Sequence, residues 1–242
     1  MKDKTRILTA GLLAIMFILT VALFVRGDPV GGEIQLNFTS YRSVSPDNRS
    51  DEGGTINTIN VQAVQQNAAW KAYVGNISGS LVLDDSSDKS IFEWSLSSLT
   101  GEILASRSGS LTWSSLSCAS EAVLLAEHSA LNMGQGDVDN INKTFSWSNH
   151  KTFTVAGNTL TGNSCSALGT YINDTAQADS ATAYFQEILV NDSSSNLIYV
   201  AELETNLVGY NNVSTFDFQM LVADNDQAGQ ITTYYFYVEL DS

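Results

Sequence analysis

From Ile7 to Val25 the chain runs nineteen residues without a charge (ILTAGLLAIMFILTVALFV), with Lys2, Lys4 and Arg6 ahead of it and Arg26 behind. A polypeptide that begins this way is constrained first by where that stretch can go. At 1.5 Å per residue a helix of this length reaches roughly 28 Å, about the thickness of bilayer hydrocarbon. The positive excess on the amino side keeps the terminus in the cytoplasm and sends residues 28–242 outside. No face of the segment is polar, which argues against a helix packed on a soluble core. Signal-peptide cores run about 7–15 residues and end at a small-x-small site. Here the run is longer, and the nearest such site, Val21-Ala22 after Thr20, lies inside it. Residues 1–27 are therefore read as a retained signal anchor, with a cleaved signal peptide as the alternative. A prepilin leader is disfavoured, because Arg6-Ile7 lacks the Gly or Ala before the apolar run.

After Gly27 there are 25 Asp and Glu against 7 Lys and Arg, a net charge of −18. So negative a surface repels phosphate backbones, and nucleic acid is excluded as a partner. Pro29 and Pro46 are the only prolines, so residues 47–242 contain none. Proline cannot donate to a sheet ladder, and without it every later segment is free to pair on both sides. Ser and Thr fill 50 of the 242 positions, which together with few lysines fits an exported, strand-rich body.

Apolar alternation marks the strands. Ile34, Leu36 and Phe38 alternate ahead of a polar stretch, Ser43–Gly54, that reads as a loop or linker. Thr55–Gln66 alternates, and a meander follows: Ala69–Val74, Ser78–Leu83, Ile91–Leu96 and Glu102–Ser106, separated by turn residues. One helix is expected over CASEAVLLAEHSALN, capped by Ser117, stopped near Gly134, and resting on a sheet through Ala119, Val123, Ala126 and Ala130. Thr144–Trp147 and Thr152–Val155 flank a turn at Ser148–Lys151. Thr182–Val190, Leu197–Glu204, Ser214–Ala223 and Gln230–Leu240 complete the set. The last is apolar or aromatic on both faces and is expected to be central or covered. The fold class is thus all-β: an antiparallel β-sandwich of about ten to eleven strands with one inserted helix, behind an N-terminal transmembrane or signal helix. The expected divisions are 1–27 signal segment, 28–54 linker with one strand, and 55–242 sandwich domain.

Cys118 and Cys165 are the only cysteines. In an exported chain an even, small number favours a disulfide over two free buried thiols. Closing that loop stabilises by about 4 kcal/mol in the chain-entropy account. Acceptor motifs for N-glycosylation stand at Asn37, Asn48, Asn76, Asn142, Asn173, Asn191 and Asn212.

Three stretches stand out together: GGTINTINVQAVQQNAAWKAYVGNISGSLVL (Gly53–Leu83), IFEWSL (Ile91–Leu96) and FDFQMLVADNDQAGQITTYYFYVEL (Phe216–Leu240). They resemble a group of uncharacterised exported archaeal surface proteins with a Gly-Gly-Thr start, a Trp-x-x-Tyr-x-Gly-Asn-x-Ser-Gly hairpin and a Tyr-rich terminal strand. The resemblance implies a secreted or anchored β-sandwich on an archaeal envelope and brings no activity with it. Related chains often continue with further domains or a C-terminal anchor. This one stops at Ser242, so attachment is expected to rest on the N-terminal segment.

Chemistry-bearing patterns are sparse. His128 and His150 are the only histidines, no Gly-x-Ser-x-Gly elbow is present, and no catalytic residue is assigned. Ser86-x-x-Lys89 falls in a polar turn. Glu202 and Glu204 project to one face of a strand, read as solvated. Asp137 and Asp139 in one loop, and Asp224 and Asp226 in another, alternate oxygen ligands as calcium loops do, without the closing Glu. Calcium is accordingly the one cofactor considered, against a plain acidic turn. Trp70, Trp94, Trp113 and Trp147 lie in or beside strands, where burial is the default over sugar stacking.

The function expected is a non-enzymatic surface protein for display, adhesion or coat formation. It would be held to the membrane by its N-terminal helix, with itself or other envelope proteins as partners. Two alternatives stay open. One is a filament subunit whose Gly27–Phe38 segment inserts as a strand into the next subunit. The other is an extracellular glycan-binding or hydrolase domain.

Overall fold

The computed structural model describes residues 30–31, 34–36, 58–66, 69–78, 80–84, 89–95, 100–227, 230 and 232–240. The apolar run Ile7–Val25, Asn37, Asn48 and Ser86 lie outside them, as does the Trp94 side chain. Among the described residues no helix is long and apolar enough to cross a membrane.

In chain order the strands are β1 (Val30–Gly31), β2 (Ile34–Leu36), β3 (Thr58–Gln66), β4 (Trp70–Ser78), β5 (Ser80–Asp84), β6 (Ser90–Ser95), β7 (Gly101–Ser106) and β8 (Ser117–Cys118). Helix α1 (Glu121–Ala130) and the single turn α2 (Ile141–Thr144) follow. The remaining strands are β9 (Phe153–Val155), β10 (Asn158–Leu160), β11 (Ala167–Gly169), β12 (Gln186–Asn191), β13 (Leu197–Glu202), β14 (Leu207–Val208), β15 (Thr215–Phe216), β16 (Phe218–Ala223) and β17 (Tyr235–Leu240). One sheet runs β1-β17-β7-β13-β12-β11, with β8 also on β12, and a second runs β16-β4-β3-β2. Three two-stranded ribbons, β5–β6, β9–β10 and β14–β15, complete the described strands. The architecture is all-β and its pairings are antiparallel, apart from β2 on β3.

The larger sheet is buried on both faces at its centre. Ile103, Leu104 and Ala105 of β7, Ile188, Leu189 and Val190 of β12, and Ile198, Tyr199, Val200 and Ala201 of β13 are all 0% exposed. Alternation divides them between two clusters. Ile103, Leu189, Tyr199 and Ala201 pack with Phe218, Met220 and Val222 of β16 and with Val123 and Leu124 of α1. Leu104, Ile188, Val190, Ile198 and Val200 pack beneath Phe153, Val155 and Leu160 of the β9–β10 ribbon. Near-continuous apolar runs are the sequence form of strands covered twice. The terminal strand does not join them: β17 sits next to the edge of the sheet, and Tyr235 is 47% exposed. Its second apolar face is only partly covered, by the T-shaped contact of Trp113 on Tyr237.

Local chemistry moves several boundaries from where the sequence placed them. The helix is capped by Ser120, whose side chain accepts from Val123 N, while Ser117 and Cys118 belong to β8. It stops at Asn132, which adopts φ 55° so that Met133 N can reach back to His128 O at 2.9 Å, a left-handed stop that Asn tolerates. Its buried face is Val123, Leu124, Glu127 and His128, and Ala126 and Ala130 are exposed. The expected strand Thr144–Trp147 is instead the end of α2 plus a lone bridge from Trp147 to Ala167. The hairpin turn falls at Ala156-Gly157, with φ 48° and 75°, rather than at Ser148–Lys151. The long strand Ser214–Ala223 is broken at Asp217, whose carboxylate accepts from Ile77 N at 2.8 Å and Asn206 N at 3.0 Å.

Edge strand β16 is protected from the side. Glu187, 0% exposed on β12, accepts from Leu221 N of β16 at 2.9 Å. Burial holds its carboxyl well above the usual carboxylate range, against the opposing pull of that N–H.

Candidate functional site

The sulfur pair forms: Cys118 and Cys165 are joined by a disulfide across 47 residues of chain. Cys118 is reached through β8, where it stands opposite Val190. Cys165 is presented by a loop organised around one imidazole. His150 Nε2 accepts from Ser164 N at 3.0 Å and Cys165 N at 2.9 Å, while Nδ1 lies 2.6 Å from Lys151 O. Those partners assign the neutral Nδ1–H form, with Nδ1 donating to the carbonyl. His150 is 1% exposed. The sequence had it in a turn, and no local signal marks it as buried.

The glycosylation motifs divide by environment. Asn76 is half-buried on β4, and its Oδ1 accepts from Asp217 N at 3.1 Å. Asn142 donates to Glu121 Oε2 at 2.8 Å, and Asn191 accepts from Ser120 N at 3.2 Å and donates to Asp192 O at 2.9 Å. Asn173 and Asn212 are exposed, both at positive φ, 51° and 54°. Their loops are tied to each other: Asn173 N donates to Gly209 O at 2.9 Å and Asp174 N to Tyr210 O at 2.6 Å. Two acceptor asparagines thus share one rim.

The candidate calcium carboxylates do not converge. Asp137 Oδ2 accepts from Gly134 N at 2.6 Å, closing its own turn, and Asp139 contributes its carbonyl to Trp70 Nε1 at 2.7 Å. Asp224 pairs with Lys71 at 3.0 Å, and Asp226 N donates to Leu131 O at 2.9 Å. Among the described residues no three His, Cys, Asp or Glu side chains gather closely enough to hold a metal.

A carboxylate feature invisible in the linear chain lies under the β9–β10 ribbon. Glu202 of β13 stands opposite Glu102 of β7, and Glu102 opposite Glu239 of β17. The segment 151–156 crosses this row. Lys151 Nζ contacts Glu202 Oε1, Thr154 N donates to Glu102 Oε1 at 3.4 Å, and Ala156 N donates to Glu239 Oε2 at 2.5 Å. Like charges directly opposite across strands repel, and the crossing segment supplies the compensating donors. Burial raises the Glu202 carboxyl to about 7, with Glu204 pushing the same way and Lys151 opposing. The reading of Glu202 and Glu204 as a solvated face is therefore corrected for Glu202, whose side chain is mostly covered and held by Lys151.

A cleft of about 380 Å³ lies between α1 and the end of β7 and is lined by Ser106, Arg107, Glu127, Ala130, Ser195 and Asn196. Its charged pair is internally satisfied, Arg107 Nε and Nη2 donating to the two Glu127 oxygens at 2.6 Å each. No nucleophile–base arrangement is seen there. His128 is 3% exposed and spends Nε2 on Ile141 N at 3.1 Å, and burial lowers its pKa against the pull of Glu121, Glu127 and Asp137. Trp70 is buried against Phe145, Trp113 packs on Tyr237, and Trp147 covers Gly169. Comparison with protein families, curated proteins and solved structures finds no match to this chain.

Proposed function

We propose that this chain is a non-enzymatic surface protein. Its body is displayed outside the membrane, with Ile7–Val25 as the anchor and an archaeal envelope as the setting that the resemblance implies. The two sheets are read as the layers of a sandwich, supported by the cluster that Tyr199 and Ala201 share with Phe218 and Met220. The observation that carries the reading is the Cys118–Cys165 disulfide. Disulfides persist in oxidising compartments and are rare where glutathione keeps thiols reduced. The acidic surface, the exposed Asn173 and Asn212, and histidines already committed as backbone acceptors support display or coat formation rather than turnover.

The test is thiol titration of protein isolated from its own cells, denatured without reductant and fractionated beforehand. The reading expects the chain in the membrane fraction with no titratable thiol. Two titratable thiols in the soluble fraction would reject it.

A further inference from the structure

Two of the acceptor motifs belong to a longer pattern. Asn173 stands in Tyr171-Ile172-Asn173-Asp174-Thr175 and Asn212 in Tyr210-Asn211-Asn212-Val213-Ser214, each with a tyrosine two residues ahead of the asparagine. At the other five motifs that place is held by Gln35, Pro46, Val74, Asn140 and Leu189. Among the described residues, the two motifs with the aromatic are also the two whose asparagines are exposed. Turn geometry accounts for the asparagines, which tolerate left-handed φ values of 51° and 54°. It does not account for the tyrosine before each one or the hydroxyl residue after it.

Both loops are set by one buried side chain. Gln219 of β16 is 2% exposed; its Oε1 accepts from Tyr210 N at 2.8 Å, and its Nε2 donates to Tyr171 O at 2.9 Å and to Thr170 Oγ1 at 2.8 Å. A single amide therefore fixes the backbone of both tyrosines. Ile172 bridges to Thr175 across the first turn, and Gly209 N donates to Ser214 O at 2.9 Å to close the second. Tyr171 is 53% exposed, and its ring makes no aromatic contact among the described residues. Tyr210 is half-buried, stacks on Phe216 with 10° between ring planes, and borders a hollow of about 140 Å³ with Ala72, Val74 and Leu221.

A sugar ring presents a face of weakly positive C–H groups, and an aromatic ring presents a negative face, so the two attract when stacked. Residues two apart on an extended chain lie about 7 Å from each other, a gap that an asparagine side chain and its first sugar bridge together. We propose that Tyr171 and Tyr210 are seats for the first sugars of glycans carried by Asn173 and Asn212, so that glycosylation at these two positions packs on the fold and stabilises it. The inference rests on the display reading, because N-linked sugar belongs to exported chains.

The test is a double-mutant cycle on the full chain purified from its native membrane. Thr175→Ala removes the Asn173 acceptor motif, Tyr171→Ala removes the seat, and the double variant closes the cycle, so that the separate effect of each change cancels. Ser214→Ala and Tyr210→Ala form a second cycle. Glycopeptide mass spectrometry reads occupancy, and urea midpoints are taken on fully occupied fractions of the forms that keep the motif. The expected result is that losing the sugar lowers the midpoint when the tyrosine is present and lowers it less when it is Ala. Tyr171→Phe should behave as the parent, since the ring face and not the hydroxyl makes the seat. Tyr210 also packs on Phe216, so if Tyr210→Ala does not fold, the Tyr171 cycle decides. An equal midpoint shift with and without the tyrosine overturns the inference and leaves the display reading intact. Sugar on other acceptor asparagines but on neither of these does the same. A chain without sugar also overturns it, and the thiol titration and fractionation described above separate that failure from failure of the display reading.

Discussion

His150 Nε2 accepts the backbone N–H of Cys165 at 2.9 Å, so the residue that positions the disulfide loop is adjacent in space to the bond and 15 positions away in sequence. The same nitrogen accepts from Ser164 N. Replacing His150 with Ala leaves two N–H groups without their acceptor in a buried site. A cost of about 2–3 kcal/mol is expected, read as a lower urea midpoint with an unchanged slope. The Cys118–Cys165 bond should also become easier to reduce, and equal reduction rates in the two proteins would contradict this role.

Reduction itself should be costly. With both cysteines changed to Ala, chain-entropy reasoning predicts a loss of about 4 kcal/mol. Denaturant unfolding of the variant beside the oxidised parent measures it.

Glu202 gives the body a defined pH dependence. Its folded pKa of about 7 lies above the ordinary 4.5, so the folded state binds the proton more tightly. Its stabilising contribution is complete below 4.5 and is lost as pH rises through 7, with a slope of up to about 1.4 kcal/mol per unit. His128 acts in the opposite sense. Its pKa is lowered by burial, so its contribution is present above 6.5 and is lost as pH falls through its folded value. Glu202→Gln should lessen the decline between 4.5 and 7, leaving the share that the buried Glu187 contributes and the His128 limb in place. A variant that keeps the parental decline would show that another group produces it.

Gly101 is fixed by backbone approach. It sits at φ +133°, and a Cβ there would meet the carbonyl oxygen of Glu239 on β17. Gly101→Ala should cost about 2 kcal/mol or more and weaken β7–β17 first. Hydrogen exchange should show Val238 and Phe236 losing protection ahead of β12.

What the sequence revealed and what it concealed follow one physical division. Alternation located strands within Leu197–Glu204 and Ser214–Ala223, because periodicity is local. It misplaced the doubly covered strand, since Tyr234–Leu240 is as apolar as Leu197–Ala201 and only the covering ribbon distinguishes them. It started the helix three residues early, at Ser117, because β8 claims that residue and Ser120 takes the cap. The Glu202–Glu102–Glu239 row joins residues a hundred or more positions apart, and the His150 acceptor reaches 14 and 15 positions along a loop with no periodicity, so neither was legible in the linear chain. Cysteine arithmetic succeeded for the opposite reason: two residues permit one pairing.

The glycan motifs yield a selective expectation. Asn173 and Asn212 have exposed side chains on one rim, whereas Asn76, Asn142 and Asn191 already hold hydrogen bonds within the fold. Glycopeptide mass spectrometry of the native protein should find sugar at Asn173 and Asn212 ahead of the other three. Occupancy concentrated at Asn76 would contradict the ordering.

Display outside the membrane is tested most directly by protease treatment of intact cells, followed by detection of the chain with and without prior lysis. The account predicts that the body is cleaved or shed from unbroken cells, leaving at most a membrane-retained fragment that contains Ile7–Val25. A chain that stays whole until the cells are lysed, and is digested only then, would contradict it.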